Sequence, residues 1–279
     1  MSSPPAKRGE GDLSVTALYT SEAWTWGGFD GAELLATKEA KSVFDVTNLV
    51  LGFVRLFRWD LPSLRHSLVQ RHVMIDRLVR GAARVLELAA GLSRRGVSMS
   101  RDLTVDYVEV DLPPVMARKR ELLARTEGGR AVLQRPNLRL EGADVRALPL
   151  EPLADAGTVV VAEGLFMYLK PEEQRALWTR VAGTGATLIF DLVPACEQPR
   201  PGLLGRALGW LMKRFTKGRT FEVDARTRDD LGVELRACGF GQVELFEPRS
   251  CPSEWAVPHL QKKTQVLVFR AGCSGAACP

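Results

Sequence analysis

The chain of 279 residues has few of the groups on which metal sites and disulfide frameworks depend. Its five cysteines are an odd number, and none of their spacings is typical of a zinc site. No apolar run reaches the roughly 18 residues that a membrane-spanning helix needs. The beginning of the chain, MSSPPAKRGEGD, lacks the apolar core of a secretory signal. These absences predict free thiols, no metal site, no stable membrane insertion and a cytoplasmic location.

The charge of the chain is nearly balanced, with 38 lysines and arginines against 33 acidic residues. The excess of arginine is spread along the chain, whereas a nucleic-acid binder usually shows a dense basic stripe, so no nucleic-acid partner is expected. A hydrophobic fraction of 46% and a charged fraction of 25% are ordinary for a globular protein. The composition therefore excludes a disordered chain, a collagen and a coiled coil.

The hydrophobic pattern divides the chain at Gly81. Before it, the spacing of Leu64, Leu68, His72, Ile75 and Val79 predicts a helix with one apolar face. After it, short apolar runs alternate with helical segments at 113–126, 171–182, 202–215 and 227–238. The runs are 84–88, 105–110, 137–140, 158–161, 186–190, 242–246 and 265–269. This alternation predicts an α/β fold with a doubly wound, mostly parallel sheet of seven strands, whose last two form an antiparallel hairpin with a long loop.

The predicted organisation has four parts. Residues 1–12 are polar and are expected to be disordered, residues 13–80 to form a helical N-terminal cap and substrate lid, and residues 271–279 to form a flexible tail. The α/β domain spans residues 81–270. Its segment 201–215 is apolar and then basic, which suits a lid helix, a helix packed on the sheet, or a helix on a membrane surface.

Ligands of doubly wound sheets bind beyond the carboxyl ends of the strands, so the strand ends come first. The first strand ends in Glu87 and leads to the small loop Ala89-Ala90-Gly91. This loop lacks the three glycines that bring a pyrophosphate onto a helix N-terminus, which argues against a dinucleotide site. It is either an ordinary tight turn or a loop that a smaller ligand approaches closely.

Three further strands are followed by acidic residues. Asp111 could accept hydrogen bonds from ribose hydroxyls, or could cap the helix that follows. Asp144 could bind an adenine amino group, or could be a turn aspartate. Glu163 follows a central strand, and a part-buried carboxylate needs a cationic partner, which could be a ligand or an internal arginine.

Several motifs in these regions resemble one known family. They are VLELAAGLSRR (85–95), YVEVDLPPVMARKRELL (107–123), ADVRALPL (143–150) and VVAEGLFMYLKPEE (160–173). Together they resemble the leucine carboxyl methyltransferase family, most closely its bacterial polyketide O-methyltransferase branch. The resemblance implies a Rossmann-like class I methyltransferase with strand order 3-2-1-4-5-7-6. It also implies S-adenosylmethionine (SAM) as cofactor and a small-molecule acceptor as partner.

The resemblance also implies a set of cofactor-binding residues, namely Arg71, Glu87, Gly91, Asp111, Leu112, Asp144, Val145 and Glu163. Arg71 would pair with the SAM carboxylate, and Gly91 would pass close to the methionine part. Asp111 would hold the ribose hydroxyls. Asp144 and the backbone of Val145 would face the adenine. Glu163 would lie near the amino group and the sulfonium.

The acceptor oxygen needs a base only if it is an alcohol or a typical phenol, and histidine suits that role because its pKa lies near 7. His259 is the best candidate, because its loop opens on the SAM side if the sixth strand is parallel to the first five; otherwise it is a surface residue. Tyr168 and Asp191 are other polar candidates. His72 is expected in the core or pocket wall, and His66 is expected to be solvated.

The substrate pocket is expected to be apolar, with walls from Tyr19, Trp24, Trp26 and Trp255. These features favour a SAM-dependent O-methyltransferase that acts on an enol, phenol or carboxylate oxygen of a small, polyketide-like metabolite. The alternatives are carboxyl methylation of a protein C-terminus and a SAM-binding module without catalysis. A nicotinamide-dependent dehydrogenase is a weaker hypothesis.

Overall fold

The computed structural model describes residues 15–57, 61–197 and 225–273. The helices are α1 Val15–Trp26, α2 Lys38–Phe57, α3 Leu64–Val79, α4 Arg95–Met99, α5 Pro113–Ala124, α6 Glu127–Leu133, α7 Pro171–Gly183 and α8 Arg228–Ala237. The strands are β1 Arg84–Leu88, β2 Asp106–Asp111, β3 Leu138–Gly142, β4 Thr158–Ala162, β5 Thr187–Asp191, β6 Gln242–Phe246 and β7 Val268–Gly272. The predicted disordered segment 1–12 and the predicted lid helix at 201–215 lie outside the described residues.

One seven-stranded sheet has the order β3-β2-β1-β4-β5-β7-β6, which confirms the predicted order. Strands β1 to β5 are parallel to one another, and β7 is antiparallel to both β5 and β6. The predicted antiparallel pairing of the last two strands is therefore also confirmed. Because β5 and β6 both run against β7, β6 is parallel to the first five strands. The loop from β6 to β7 consequently opens at the carboxyl edge of the sheet.

Alternating side chains of the strands enter two different cores, as the period of two in a strand requires. Leu86, Val108 and Val160 face α7 and α8, where Trp178 and Leu231 are fully buried. On the opposite face, Val85, Tyr107, Val161 and Ile189 pack against three residues of α3, which are Met74, Ile75 and Val79. Helices therefore cover both faces of the sheet, as the sequence predicts.

The predicted cap contains two kinds of helix. Helix α3 packs directly on the sheet, so its carboxyl half belongs to the core of the α/β layer. Helices α1 and α2 pack on each other and on the first turns of α3, with Tyr19, Trp24, Phe44 and Leu68 buried between them. Since α3 connects at Gly81 to the start of β1, its amino half projects beyond the carboxyl edge of the sheet. That half carries polar side chains over the strand ends.

The carboxyl-terminal boundary of the sheet differs from the sequence prediction. The flexible tail predicted from residue 271 begins inside β7, which continues to Gly272, so that boundary is wrong. Ala271 is buried and pairs with Leu188 of β5, which explains why the chain stays in the sheet there. Among the residues that the structure describes, no helix is both long and apolar enough to cross a membrane.

Candidate cofactor and acceptor site

An arginine of α3 joins two acids at the ends of neighbouring strands. Arg71 donates from Nε to Glu163 Oε1 at 2.9 Å and from Nη1 to Asp191 Oδ2 at 2.8 Å. The backbone N–H of Gly164 donates to the other oxygen of Asp191 at 2.6 Å. These contacts fix the turns after β4 and β5 relative to α3. Charge-assisted hydrogen bonds of this kind are among the strongest in proteins.

His72 lies beside Arg71 and is bound through both ring nitrogens. Its Nε2 lies 3.0 Å from Nε of Arg94. Its Nδ1 lies 2.9 Å from Glu163 Oε2 and 3.0 Å from Nη2 of Arg95. Burial, followed by the charge of Arg95, lowers the pKa of His72 to about 3, although Glu163 opposes this shift. His72 is therefore neutral at physiological pH.

Arg95 joins the remaining acids into one network. Its guanidinium is fully buried and donates to Glu163 Oε2 at 2.7 Å, to Glu87 Oε1 at 2.5 Å and to Asp76 Oδ1 at 2.7 Å. The second oxygen of Glu87 accepts from the hydroxyl of Tyr107 at 2.7 Å. We refer to the group as the strand-end ion cluster; it comprises Arg71, His72, Asp76, Glu87, Arg94, Arg95, Glu163 and Asp191.

Burial has opposite outcomes for two acids of the strand-end ion cluster. Burial alone would raise the pKa of Glu163, but the ring of His72 and the guanidinium groups of Arg71 and Arg95 hold it well below its usual range. The pKa of Asp191 is raised by burial, which Arg71 offsets only in part. Glu163 therefore carries a permanent negative charge at the end of β4.

The first loop and the end of β2 form a second part of the site. Asp111 Oδ2 accepts from the backbone N–H of Gly91 at 2.7 Å, and its Oδ1 accepts from the N–H of Leu112 at 2.7 Å. Helix α5 is capped at Leu112 with no side-chain hydrogen bond, so Asp111 does not serve as its N-cap. A carboxylate accepts hydrogen bonds at both oxygens, which is the chemistry that binding of ribose hydroxyls needs.

The backbone of the first loop has the left-handed conformation at two positions. Gly91 has φ of 52°, which glycine adopts without cost, and Ala89 has φ of 54°, which is unfavourable for alanine. A side chain at position 91 would lie against Asp111 Oδ2, at 4.0 Å from its Cβ. The loop therefore brings the backbone close to Asp111 although its first two residues are alanines.

Asp144 lies at the edge of the site in a local structure. Its carboxylate accepts from the backbone N–H and the guanidinium of Arg146, with the shortest contact 2.7 Å to Nη2. This agrees with the alternative of a turn aspartate, and the hydrogen bond from Arg146 lowers the pKa of Asp144. The side chain of Val145 is buried in the core, and its carbonyl accepts from Arg180 at 3.3 Å.

Aromatic residues of α1 lie over the strand-end ion cluster. Trp24 is buried and stacks on His72 with ring centroids 4.0 Å apart. Tyr19 is buried farther out, where its hydroxyl donates to Asn48 at 3.1 Å. Trp255 does not join this group: it stacks on Phe246 of β6, and its carbonyl accepts from Arg77 near the end of α3. The structure therefore separates Trp255 from the other predicted wall residues.

His259 lies in the loop that opens at the carboxyl edge, which meets the geometric condition for its predicted role. Its ring stacks on Trp26 with centroids 5.8 Å apart and lies 4.7 Å from the ring of His66. The prediction that His66 is solvated is wrong, since His66 is only 5% exposed. It was missed because its burial depends on α1 and the distant 247–267 loop. Tyr168 lies half-buried in a single turn, Phe166–Tyr168, that follows β4.

The structure brings most predicted residues to one edge but also pairs them with one another. Glu163 has the internal arginine partners that the sequence analysis left as an alternative, and both oxygens of Glu87 are bound by Arg95 and Tyr107. Sequence reasoning gave no role to Asp76, Arg94 or Arg95. The arginine pair that follows the first loop in GLSRR was the available signal, but its partners lie up to 68 residues away.

The donor set fits the SAM that the resemblance implies. Arg71 gives two of its five N–H groups to Glu163 and Asp191, which leaves donors for a ligand carboxylate. Position 164 is a glycine, so no side chain crowds the guanidinium of Arg71. A Cβ at this position would lie 3.4 Å from Nη2 of Arg71. Glu163 could supply negative charge for an ammonium and a sulfonium, and Asp111 could supply acceptors for ribose. The carboxylate, the ammonium, the sulfonium and the ribose of SAM would then each have a complementary group.

Comparison with known proteins gives consistent results. A family model described as leucine carboxyl methyltransferase matches residues 31–182. A protein of Mycobacterium ulcerans (strain Agy99), named provisionally as an S-adenosyl-L-methionine-dependent methyltransferase, is 30% identical over 150 residues, which are 49% of this chain and 47% of the relative. A protein of the same name from Mycobacterium avium (strain 104) is 28% identical over 220 residues, or 70% of this chain and 69% of the relative. The chain spans about half the length of the first of these relatives.

Solved structures with the same fold are more distant in sequence. The S-adenosylmethionine-dependent methyltransferase SibL in its apo form has a TM-score of 0.53 and 15% identity, and covers 92% of this chain and 69% of its own. A protein of Nostoc punctiforme PCC 73102, named provisionally as an O-methyltransferase, has a TM-score of 0.51 and 12% identity. The match covers 95% of this chain and 74% of the Nostoc chain. These similarities confirm the fold, and the family match confirms the predicted family: this chain belongs to the leucine carboxyl methyltransferase family.

Proposed function

We propose that this protein is an S-adenosylmethionine-dependent O-methyltransferase that acts on a small, mainly apolar, polyketide-like acceptor in the cytoplasm. One observation carries the proposal. The strand-end ion cluster and the pair of Asp111 with Gly91 lie at adjacent strand ends of one sheet edge, where doubly wound folds bind ligands. The family to which the chain belongs and the names of its relatives support the same cofactor.

The residues divide the binding of the donor between them. Arg71 would hold the carboxylate, Glu163 the ammonium and the sulfonium, and Asp111 the ribose hydroxyls. When bound, SAM supplies a methyl group on a positively charged sulfur, with a neutral thioether as the leaving group. What remains for the protein is to hold the acceptor oxygen in line and to exclude water. Trp24, stacked on His72 over the ion cluster, covers the buried charges from above.

The acceptor side is formed by α1, the first turns of α3 and the 247–267 loop. Trp26 and His259 face each other there, and His66 lies behind them. His259 is the candidate base for an acceptor whose oxygen carries a proton, and Tyr168, in the turn after β4, is a second polar candidate. An enol, phenol or carboxylate oxygen suits such a site, since each is available in an anionic form at moderate cost.

A transfer assay with methyl-labelled SAM tests the proposal. The acceptors are a panel of small phenols, enols and aromatic acids, together with a peptide that has a free C-terminus. Label in an ether or ester of a small acceptor supports the proposal. Label in the peptide alone supports protein carboxyl methylation, and SAM binding without turnover on any acceptor supports a binding module. No SAM binding in the wild-type protein overturns all three.

A further inference from the structure

We propose that His66 and His259 together form the proton-accepting site for the acceptor, and that the acceptor is a planar aromatic compound with a phenolic or enolic hydroxyl. The inference rests on the proposed function and identifies which hydroxyl chemistry that function serves. It gives His66 a role beside His259, although the two residues are far apart in sequence.

The two imidazole rings form a compact pair. Their centroids are 4.7 Å apart and the rings are inclined by 71°. Ser63, at the start of α3, places its Oγ 2.6 Å from Nδ1 of His66, and both side chains are buried. Because Ser63 engages Nδ1, we assign contact with the acceptor to Nε2 of His66. The pair therefore offers two imidazoles around one position, with one ring held fixed.

The surroundings of the pair favour an oxyanion. The charges that act most strongly on His66 come from His259, Arg65, Lys262 and Arg55, which lie on α2, α3 and the 247–267 loop. Burial lowers the pKa of His66 to about 4, with smaller contributions from His259 and from the cations Arg65, Lys262 and Arg55, so its ring is neutral at pH 7. Burial also opposes ionisation of a nearby hydroxyl, but the positive charges of the two arginines and the lysine stabilise the anion that it forms. A carboxylic acid is already ionised and has no need of a proton acceptor.

The wall of the site suits a flat aromatic body. Trp26 is inclined by only 27° to the ring of His259, and its edge approaches His66 with centroids 5.4 Å apart. Trp26 is 39% exposed, so its ring extends from the histidine pair to the surface. Arg65 covers Trp26 with its guanidinium 4.8 Å from the ring centroid. A planar acceptor can stack in this row while its hydroxyl meets the imidazoles.

The pair lies on the correct side of the donor site. His66 precedes Arg71 by five residues of α3, which is about 7.5 Å along the axis and away from the sheet. Helix α1 contacts both the ion cluster and the histidine pair, since Trp24 stacks on His72 and Trp26 contacts His66. Gln70, which lies between His66 and Arg71 on α3, donates to the carbonyl of Pro258 at 2.8 Å and so holds the loop of His259 against α3.

The proposed proton transfer balances within this group. The hydroxyl proton of the acceptor passes to the imidazole of His259, because the lowered pKa of His66 makes its ring the poorer proton acceptor. A lone pair of the resulting oxyanion forms the new O–C bond as the C–S bond of the donor breaks. The electron pair of the C–S bond stays on sulfur, which becomes a neutral thioether. The imidazolium then releases its proton to water beside Trp26.

Binding of 1-naphthol to the protein saturated with S-adenosylhomocysteine tests the inference, because naphthol and naphtholate differ in absorbance. We expect bound 1-naphthol to ionise at least one pH unit below free 1-naphthol, which corresponds to about tenfold tighter binding of the anion. His66→Gln and His259→Gln should each reduce this difference at least threefold. Arg249→Gln, which removes an exposed cation from the same loop, is the control and should leave it unchanged.

A second measurement uses the wild-type protein and therefore does not depend on whether a variant folds. The chain has three histidines, so protein labelled with ¹⁵N-histidine should show 1-naphthol perturbing the ring signals of two of them and not those of His72. Unshifted ionisation, absence of naphthol binding, or perturbation of no histidine overturns the inference. The carboxylate 1-naphthoate is tested in parallel. If it binds in preference to 1-naphthol and the pH of ionisation of 1-naphthol is unshifted, the inference is overturned in favour of a carboxylate acceptor. Calorimetry of S-adenosylhomocysteine on the same samples is independent: loss of that binding rejects the proposed function instead.

Discussion

The two halves of the carboxyl edge are built in different ways. The strand-end ion cluster is largely buried, and its members come from α3, β1, the first loop, α4, the turn after β4, and β5, with pairs up to 120 residues apart in the chain. The half around Asp111 and Asp144 is more exposed and is held by neighbours such as Leu112 and Arg146. Buried charges must be fully paired, whereas half-exposed carboxylates can keep lone pairs for a ligand. The first half therefore serves rigidity as well as binding, and the second serves binding.

The largest expected effect comes from removing Arg95, which is fully buried and pairs with Glu87, Glu163 and Asp76. Arg95→Met should lower the free energy of unfolding by about 3–5 kcal/mol, because it leaves buried carboxylates without their partner. Arg146→Met is the matched control, since Arg146 pairs with Asp144 but is 58% exposed, and its loss should cost less than about 1 kcal/mol. Urea unfolding measures both, and equal losses would contradict the comparison.

A pH dependence of stability should follow from His72. Because its pKa falls to about 3 in the folded protein, the unfolded chain takes up more protons as pH falls below 6.5, and stability is lost. At pH 5 this loss is about 2 kcal/mol relative to pH 7. His72→Gln removes the titrating group, so the variant should lose about 2 kcal/mol less than the wild type between these pH values. Urea unfolding at both pH values is the measurement, and identical losses would reject the buried neutral imidazole.

In the half of the carboxyl edge around Asp111 and Asp144, Asp111→Ala should weaken binding of S-adenosylhomocysteine by about 10- to 100-fold. This is the loss expected for hydrogen bonds to a charged group. Its effect on stability should be less than about 1.5 kcal/mol. Asp106→Ala, at the opposite end of the same strand, is the control and should bind normally. Calorimetric titration measures the affinity. A loss of stability in Asp111→Ala as large as that of Arg95→Met would remove the distinction between the halves.

The smallest expected effect concerns the first loop. Ala89→Gly should stabilise the protein by about 0.5 kcal/mol, because relief of the left-handed conformation exceeds the added entropy of glycine in the unfolded chain. Ala90→Gly, at a position without positive φ, should instead destabilise it by about 0.5–1 kcal/mol. Thermal unfolding of the two variants gives the sign, and the same sign for both would show that the loop is not strained at Ala89.

The sequence predicts the sheet better than the site because strands leave a local pattern and ion pairs do not. The predicted bounds of β1 and β6 agree with the structure, and the order of the sheet is confirmed. The run predicted for β7 starts three residues early, since Gln265, Val266 and Leu267 precede the ladder and the last two are buried without belonging to it. An apolar run predicts burial, and pairing is a separate condition.

Within the site, the sequence identifies the residues at the strand ends but not the side chains that pair with them. Asp111 and Glu163 follow apolar strands, so the topology alone places them at one edge. Arg95 and His66 depend on contacts across the fold, with partners that include Glu87 of β1 and His259 of the last loop. The position of His72 on an apolar stripe predicted its burial but not its bonds to Glu163 and Arg94.

A crystal structure of the complex with S-adenosylhomocysteine tests the central claim most directly. We expect the amino-acid end of the ligand against Arg71 and the backbone of Gly164, and the ribose hydroxyls on Asp111 beside Gly91. A ligand bound elsewhere on the molecule, or bound without contact to either Arg71 or Asp111, would contradict the assignment of this strand edge as the cofactor site.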